Sequence, residues 1–229
     1  MKARLLTFSA ILLMSAMALQ AQVDLGLLGG VNFYNMNGKD GDGDKYSNGL
    51  LIGFHAGINA NIPVAPQFYF QPGLQFSVKG SKNDLGIIPV KASGDFPTVT
   101  KLSYIEMPLN LLFRAQLGEG YILLGFGPYV AYGIGGKETT EYGSTTFEKT
   151  VEFKGTVVSS DNLLTTAFYK RFDAGANIHF GYETSMGIFL QLNAQLGLLD
   201  IRPEYYWDDA DSKAAIRNTG FGLSAGYRF

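Results

Sequence analysis

Phe221-Gly222-Leu223-Ser224-Ala225-Gly226-Tyr227-Arg228-Phe229 alternates apolar with small or polar residues at every step. Phe221, Leu223, Ala225, Tyr227 and Phe229 fall on one side, and Gly222, Ser224, Gly226 and Arg228 on the other. Period two is the side-chain period of a β-strand, so the stretch predicts a strand with one greasy and one small or polar face. Whether the greasy face looks into a core or out into lipid depends on whether the rest of the chain repeats the pattern.

It does. Residues 24–34 set Leu25, Leu27, Val31 and Phe33 against Asn32 and Tyr34, and 51–62 set Ile52, Phe54 and Ile58 against His55, Asn59 and Asn61. From 68 to 79, Phe70, Leu74 and Phe76 oppose Gln71, Gln75 and Lys79, while 101–115 set Ile105, Met107 and Leu111 against Glu106, Asn110 and Arg114. Residues 121–135 oppose Leu124, Phe126 and Val130 to Gly125, Gly127 and Tyr129. Residues 169–183 oppose Phe172, Ile178 and Phe180 to Asp173, His179 and Glu183. Residues 187–199 set Leu190 and Leu192 against Gln191, Asn193 and Gln195, and the terminal strand starts near Asn218. One face is thus amide-rich throughout and must be wet or mutually hydrogen-bonded. A soluble ligand-carrying barrel would reverse the two faces.

The connections alternate as well. Short ones at 63–66, 116–120 and 184–186 separate long polar ones at 35–48, 80–100, 136–168 and 200–217. Long strands joined in this way predict an all-β fold, a transmembrane antiparallel up-and-down barrel of about eight strands, with short periplasmic turns and long extracellular loops. The alternative is ten strands, with Thr/Val/Phe-rich stretches inside 136–168 crossing the membrane.

Composition agrees. The 229 residues are 46% hydrophobic and 14% aromatic, with 29 Gly, no Cys and a net charge of −2. Aromatics favour strands and Gly weakens helices. A near-neutral chain carries no footprint for nucleic acid. Without Cys there is no disulfide framework, thiolate metal site, Cys nucleophile or lipoprotein anchor. Lys2 and Arg4 before the apolar stretch 5–19 and the small residues at Ala21 predict a signal peptide over 1–21, cleaved to leave a barrel domain at 22–229.

Tyr104-Ile105-Glu106-Met107-Pro108-Leu109 followed by Gly125-Phe126-Gly127-Pro128-Tyr129 resembles the paired signature of the PorT-like outer-membrane β-barrel family. The resemblance spans essentially all of 22–229 and implies architecture more than activity. Members are mostly barrels of undefined role, with one branch linked to protein secretion and others called porin-like. Resemblance to outer-membrane barrels also implies that Phe221, Leu223, Tyr227 and Phe229 form a signal read by the barrel assembly machinery.

The expected inward charged and titratable residues are His55, Lys79, Glu106, Arg114, Asp173, His179, Glu183 and Arg228. An eight-stranded barrel is just wide enough for side chains to fill it, and buried charges need partners, so these predict an internal polar network. His55 and His179 lie on the second and sixth segments, which argues against a paired catalytic or metal site. No catalytic residue, metal or cofactor is expected. Asp40, Asp42 and Asp44 are spaced like a calcium loop, but Lys45 and Leu51 break the EF-hand pattern. Tyr205, Tyr206 and Trp207 read as an interfacial aromatic anchor, with a partner contact as the alternative. The function expected is a non-catalytic membrane scaffold or interaction protein acting through its outer loops. A narrow porin-like channel for small solutes is the second reading, and an outer-membrane hydrolase or acyltransferase the third. Expected partners are outer-membrane lipids, the assembly machinery and an unidentified protein at the outer loops.

Overall fold

A computed structural model describes residues 23–45, 48–83, 97–208 and 212–229. The expected signal peptide, with Lys2, Arg4 and Ala21, lies outside the described residues, as do 84–96 of the second long loop. Among the described residues the strands in chain order are β1 (Asp24–Lys39), β2 (Asn48–Ala65), β3 (Phe68–Asn83), β4 (Thr98–Leu117), β5 (Gly120–Tyr142) and β6 (Thr145–Phe153). They continue with β7 (Thr156–Val157), β8 (Thr166–Tyr169), β9 (Phe172–Glu183), β10 (Ile188–Gly197), β11 (Glu204–Tyr205) and β12 (Ala215–Arg228).

Eight of these close into a ring, β1-β2-β3-β4-β5-β9-β10-β12 and back to β1, every neighbour antiparallel. The closing pair runs from Gly26↔Arg228 to Lys39↔Ala215. Closure gives every strand of the ring a neighbour on both sides and leaves no free edge, which is what allows a sheet to sit in hydrocarbon. The apolar face is outside: Ile52, Phe54, Leu74, Phe126, Ile178, Leu192 and Phe221 are all exposed. On β5 this outward row ends at Ile134. At the turn-bearing end it is edged by aromatics, with Phe68 against Phe113 (5.2 Å) and Tyr227 against Phe229 (4.9 Å), and with the Tyr182 hydroxyl donating to the Leu117 carbonyl.

The 136–168 stretch does not add membrane strands. β6 pairs only with the upper part of β5, from Lys137↔Thr150 to Tyr142↔Thr145, and β8 lies parallel on β6 above the ring. The reason is compositional: Glu148, Lys149 and Glu152 on β6 leave no apolar face for lipid. β1 to β5 are also longer than the 11 to 15 residues expected, at 16 to 23, because their upper ends continue past the membrane as a wall. The expected turn at 63–66 sits lower, since Pro63, Val64 and Ala65 finish β2 and Pro66–Gln67 make the turn with Gln67 at φ 67°.

Three prolines interrupt the ladder at one level. Pairing lapses on β2–β3 between Asn59↔Gly73 and Ile62↔Phe70, on β3–β4 between Pro72↔Leu109 and Gln75↔Glu106, and on β4–β5 between Pro108↔Tyr129 and Leu111↔Phe126. Pro72, Pro108 and Pro128 lie within or beside these gaps, and each lacks the N–H a ladder bond requires. The neighbouring β5–β9 ladder runs unbroken through Pro128↔Ala176.

Candidate functional site

The lumen is layered. At the periplasmic end Glu183 on β9 bridges two arginines: Arg114 Nη2 donates to its Oε1 at 2.7 Å and Arg228 Nε to its Oε2 at 2.9 Å. The Arg114 guanidinium stacks 3.6 Å from the Tyr121 ring centroid, and Arg228 Nη1 donates to Asn59 Oδ1. Above them Leu28, Leu112, Leu123 and Phe189 form an apolar plug against Tyr69. Farther up, Lys79 on β3 reaches Glu106 on β4 (2.7 Å) and Asp173 on β9 (3.2 Å), all three side chains fully buried.

Those carboxylates are well served. Glu106 Oε1 accepts from Gln75 Nε2 at 2.8 Å and from Gln195 Nε2, while Asp173 accepts from Asn218 Nδ2 (2.9 Å) and the Tyr129 hydroxyl (3.3 Å). The Lys79 ammonium sits 4.2 Å from the Tyr129 ring centroid and within about 5.5 Å of those of Tyr34 and Tyr104. Counted as ionised, the upper cluster holds one cation against two carboxylates and the lower two cations against one, so the lumen is neutral but polarised along its axis. Met36, Leu102, Tyr104, Tyr129, Val151, Ala167, Tyr169, Ile201 and Ile216 close the top as a second apolar layer. These inward apolar residues are a departure from the uniformly polar lumen expected from the alternation.

Between the layers lies a chamber of about 60 Å³ lined by Asn32, His55, Gln75, Asn110, His179, Asn193 and Ser224 among others. That is room for roughly four waters at the ~15 Å³ each requires. His55 and His179 stand on strands four places apart in the ring of eight, and both line it. His55 Nε2 is 2.7 Å from Ser224 Oγ and its Nδ1 2.7 Å from Asn32 Oδ1, with Asn32 Nδ2 donating on to Ser77 Oγ. This has the order of a nucleophile, base and orienting amide. Ser224 is fully buried, however, and the chamber has the volume of a few waters rather than of an acyl group with its leaving group.

Two glycines make room for the imidazoles. A Cβ at Gly125 would stand 2.1 Å from His179 Cε1, and one at Gly30 would stand 2.7 Å from His55 Cε1.

All eight expected lumenal residues point inward, and the structure joins Lys79, Glu106 and Asp173 in one cluster and Arg114, Glu183 and Arg228 in another. The two histidines belong to neither. Asn32, Ser77, Ser224 and the three tyrosines around Lys79 were not among the residues expected to form the network. Each occupies an inward position of its strand, but only the register between strands reveals which of them meet.

Tyr205 and Trp207 stack at 4.6 Å and line a pocket over the barrel mouth with Glu138, Lys149, Phe168 and Tyr169, where an outward girdle was expected. Arg202 holds Asp208 by two bonds of 2.6 and 2.7 Å and lies over the Tyr205 ring. Burial in this extramembrane pocket pushes the Glu138 carboxyl above the usual range, partly opposed by Lys149. In the first loop Asp40 Oδ1 accepts the backbone amides of Asp42, Gly43 and Asp44, so this carboxylate serves its own turn. Among the described residues no group of three or more His, Asp or Glu is placed to hold a metal ion.

Among solved structures, the chain is similar to Ail, the attachment invasion locus protein of Yersinia pestis, at 10% identity over 90% of this chain and 98% of that one, with a TM-score of 0.38. Neisserial surface protein A matches at 10% identity over 90% and 97%, with a TM-score of 0.41. No curated protein sequence matches. The outer membrane protein beta-barrel domain model matches residues 18–202, and with the lipid-facing ring described above this chain belongs to that family and is an integral outer-membrane β-barrel.

Proposed function

We propose that this barrel is a non-catalytic membrane scaffold whose outer loops meet a partner. One observation carries the reading: the lumen is filled at two levels, by Leu28, Leu112, Leu123 and Phe189 below and by the Met36–Leu102–Ile201 layer above. A barrel so filled offers its surface rather than a path. Above the membrane the surface includes the β5–β6 extension and exposed Tyr142, Phe147, Leu164, Tyr206 and Trp207, which suit contact with a protein. Membership of the PorT-like branch rests on the Tyr104–Leu109 and Gly125–Tyr129 motifs and belongs to this proposal.

The test is single-channel recording of the refolded barrel in a planar bilayer. Negligible conductance at neutral pH supports the scaffold. Stable, large channels would favour the narrow porin, for which the chamber between the two layers is the supporting observation. We also place β12 with the assembly machinery as its reader, because the strand both closes the ring on β1 and carries the outward row Phe221, Leu223 and Tyr227.

A further inference from the structure

We propose that the outer face of the barrel, at the extracellular ends of β1, β12 and β10, binds a phosphorylated lipid of the outer leaflet. A groove of about 350 Å³ lies there, and Lys39, Lys45 and Arg217 supply its charge. The β1–β12 register sets Asn37 opposite Arg217 and Lys39 opposite Ala215, and the backbone bridge Lys39↔Lys45 brings the second lysine beside the first. All three cations are exposed, and none forms an ion pair with a described residue. Asp40 is the nearest acid in sequence to Lys39, and its Oδ1 is turned to its own loop amides.

The other wall of the groove is greasy. Leu196 and Leu198 line it, 52% and 60% exposed, and Leu196 stands opposite Thr219 in the β10–β12 register. Directly below come the stacked rings of Phe33 and Phe221 (5.2 Å) and then Val31, Leu192 and Leu223, all facing lipid. A cationic pocket continuous with an apolar wall matches one ligand shape, an anionic headgroup from which acyl chains run down the barrel. Phosphate suits the cations because it accepts several charge-assisted hydrogen bonds from lysine and arginine at once.

The distribution of the exposed basic residues assigns the leaflet. Lys39, Lys45, Lys82, Lys101, Lys137 and Arg217 are exposed toward the extracellular rim. Toward the periplasmic end the described basic residues are Arg114 and Arg228, both bound to Glu183 inside the lumen.

The experiment incubates the detergent-folded barrel with bis-phosphorylated lipid A, with lipid A of the same acylation stripped of phosphate, and with inorganic phosphate, and reads bound adducts by native mass spectrometry. Adducts with the phosphorylated lipid are expected, falling at least tenfold for Lys39→Gln/Lys45→Gln/Arg217→Gln. They should be unchanged for Lys82→Gln/Lys101→Gln, which alters exposed cations elsewhere on the rim. Heat-modifiability on a gel verifies that each variant is folded. Equal adducts from all three proteins would overturn the proposal, and so would equal binding of the stripped lipid. Binding of inorganic phosphate as strong as that of the lipid would assign the cations to free anions and overturn it too.

Discussion

Lys79 Nζ lies 2.7 Å from Glu106 Oε2 in the middle of the lumen, the two residues on adjacent strands and neither exposed to solvent. Asp173, on β9 three places round the ring from β3, completes the cluster at 3.2 Å. The pair is held by amides and a tyrosine hydroxyl, so its worth lies in having every partner present.

Removing one partner therefore tests it most sharply. Glu106→Ala strips Lys79 of its nearer counter-ion and strands the Gln75 and Gln195 amides. It should destabilise the barrel by about 3–5 kcal/mol, the usual cost of breaking a buried pair. Glu106→Gln keeps the shape and should cost less. Urea unfolding of the refolded protein in lipid vesicles, followed by tryptophan fluorescence from Trp207, measures both. A loss within 1 kcal/mol for Glu106→Ala would show the cluster to be hydrated.

Adjacent residues on β10 should respond oppositely. Leu192 faces lipid at 62% exposure, whereas the Asn193 amide donates to Ser224 inside. Leu192→Arg should cost roughly 2–4 kcal/mol near the bilayer midplane. Asn193→Ala should cost about 1 kcal/mol, one neutral hydrogen bond whose partner still faces the chamber. Comparable losses from the two would contradict the assigned faces.

The proline belt should be visible in amide exchange. Amides of Leu74, Met107, Asn110 and Gly127 lie within the β3–β4 and β4–β5 gaps and should exchange faster than those of Leu124, Ile178 and Phe180 on the continuous β5–β9 ladder. Hydrogen–deuterium exchange in nanodiscs resolves the two sets. Equal protection would mean that other acceptors compensate for the missing donors.

Glu138 gives the extramembrane wall a pH dependence. Its folded carboxyl is held above the ordinary range by burial, so the folded state binds the proton more tightly than the unfolded one. Stability from this site is complete below the ordinary carboxylate range and is lost as pH rises through the folded value. Glu138→Gln should remove that loss and slow proteolysis of the β5–β6 extension at neutral pH relative to the unmodified protein. Faster proteolysis of the variant at neutral pH would reverse the sign.

Closure should depend on the last strand more than on any outer loop. Tyr227→Ser/Phe229→Ser removes a T-shaped aromatic pair at the periplasmic edge, beside the Phe229 amide that donates to the Leu25 carbonyl. Membrane-integrated, protease-resistant protein should fall several-fold, while paired serine substitutions in the 84–96 stretch leave it intact. Equal losses would remove any special assembly role from these aromatics.

What alternation could reveal, it revealed: that Leu25 and Leu27 face out while Asn32 faces in, that long and short connections take turns, and that Lys79, Glu106 and Asp173 point inward. These are one-strand properties, set by the two-residue period and by the hydrophobic effect acting on each side chain separately. Residue type alone, the basis for reading Tyr205–Trp207 as an interfacial anchor, misplaced that cluster, because its surroundings are a pocket built from β5, β6, β8 and β12 rather than from its own neighbours in sequence.

Which inward residues meet is a different kind of fact. Lys79 finds Asp173 across 94 positions, and His55 finds Ser224 across 169, only because the ring closes with a particular stagger between strands. Strand stagger is a collective quantity, summed over eight ladders and their proline gaps, and a shift of two residues on one ladder would keep every face and exchange every partner. The chain by itself determined inside and outside; the tertiary structure decided the layers, the two charge clusters and the basic groove, because each depends on the registers of several strands at once.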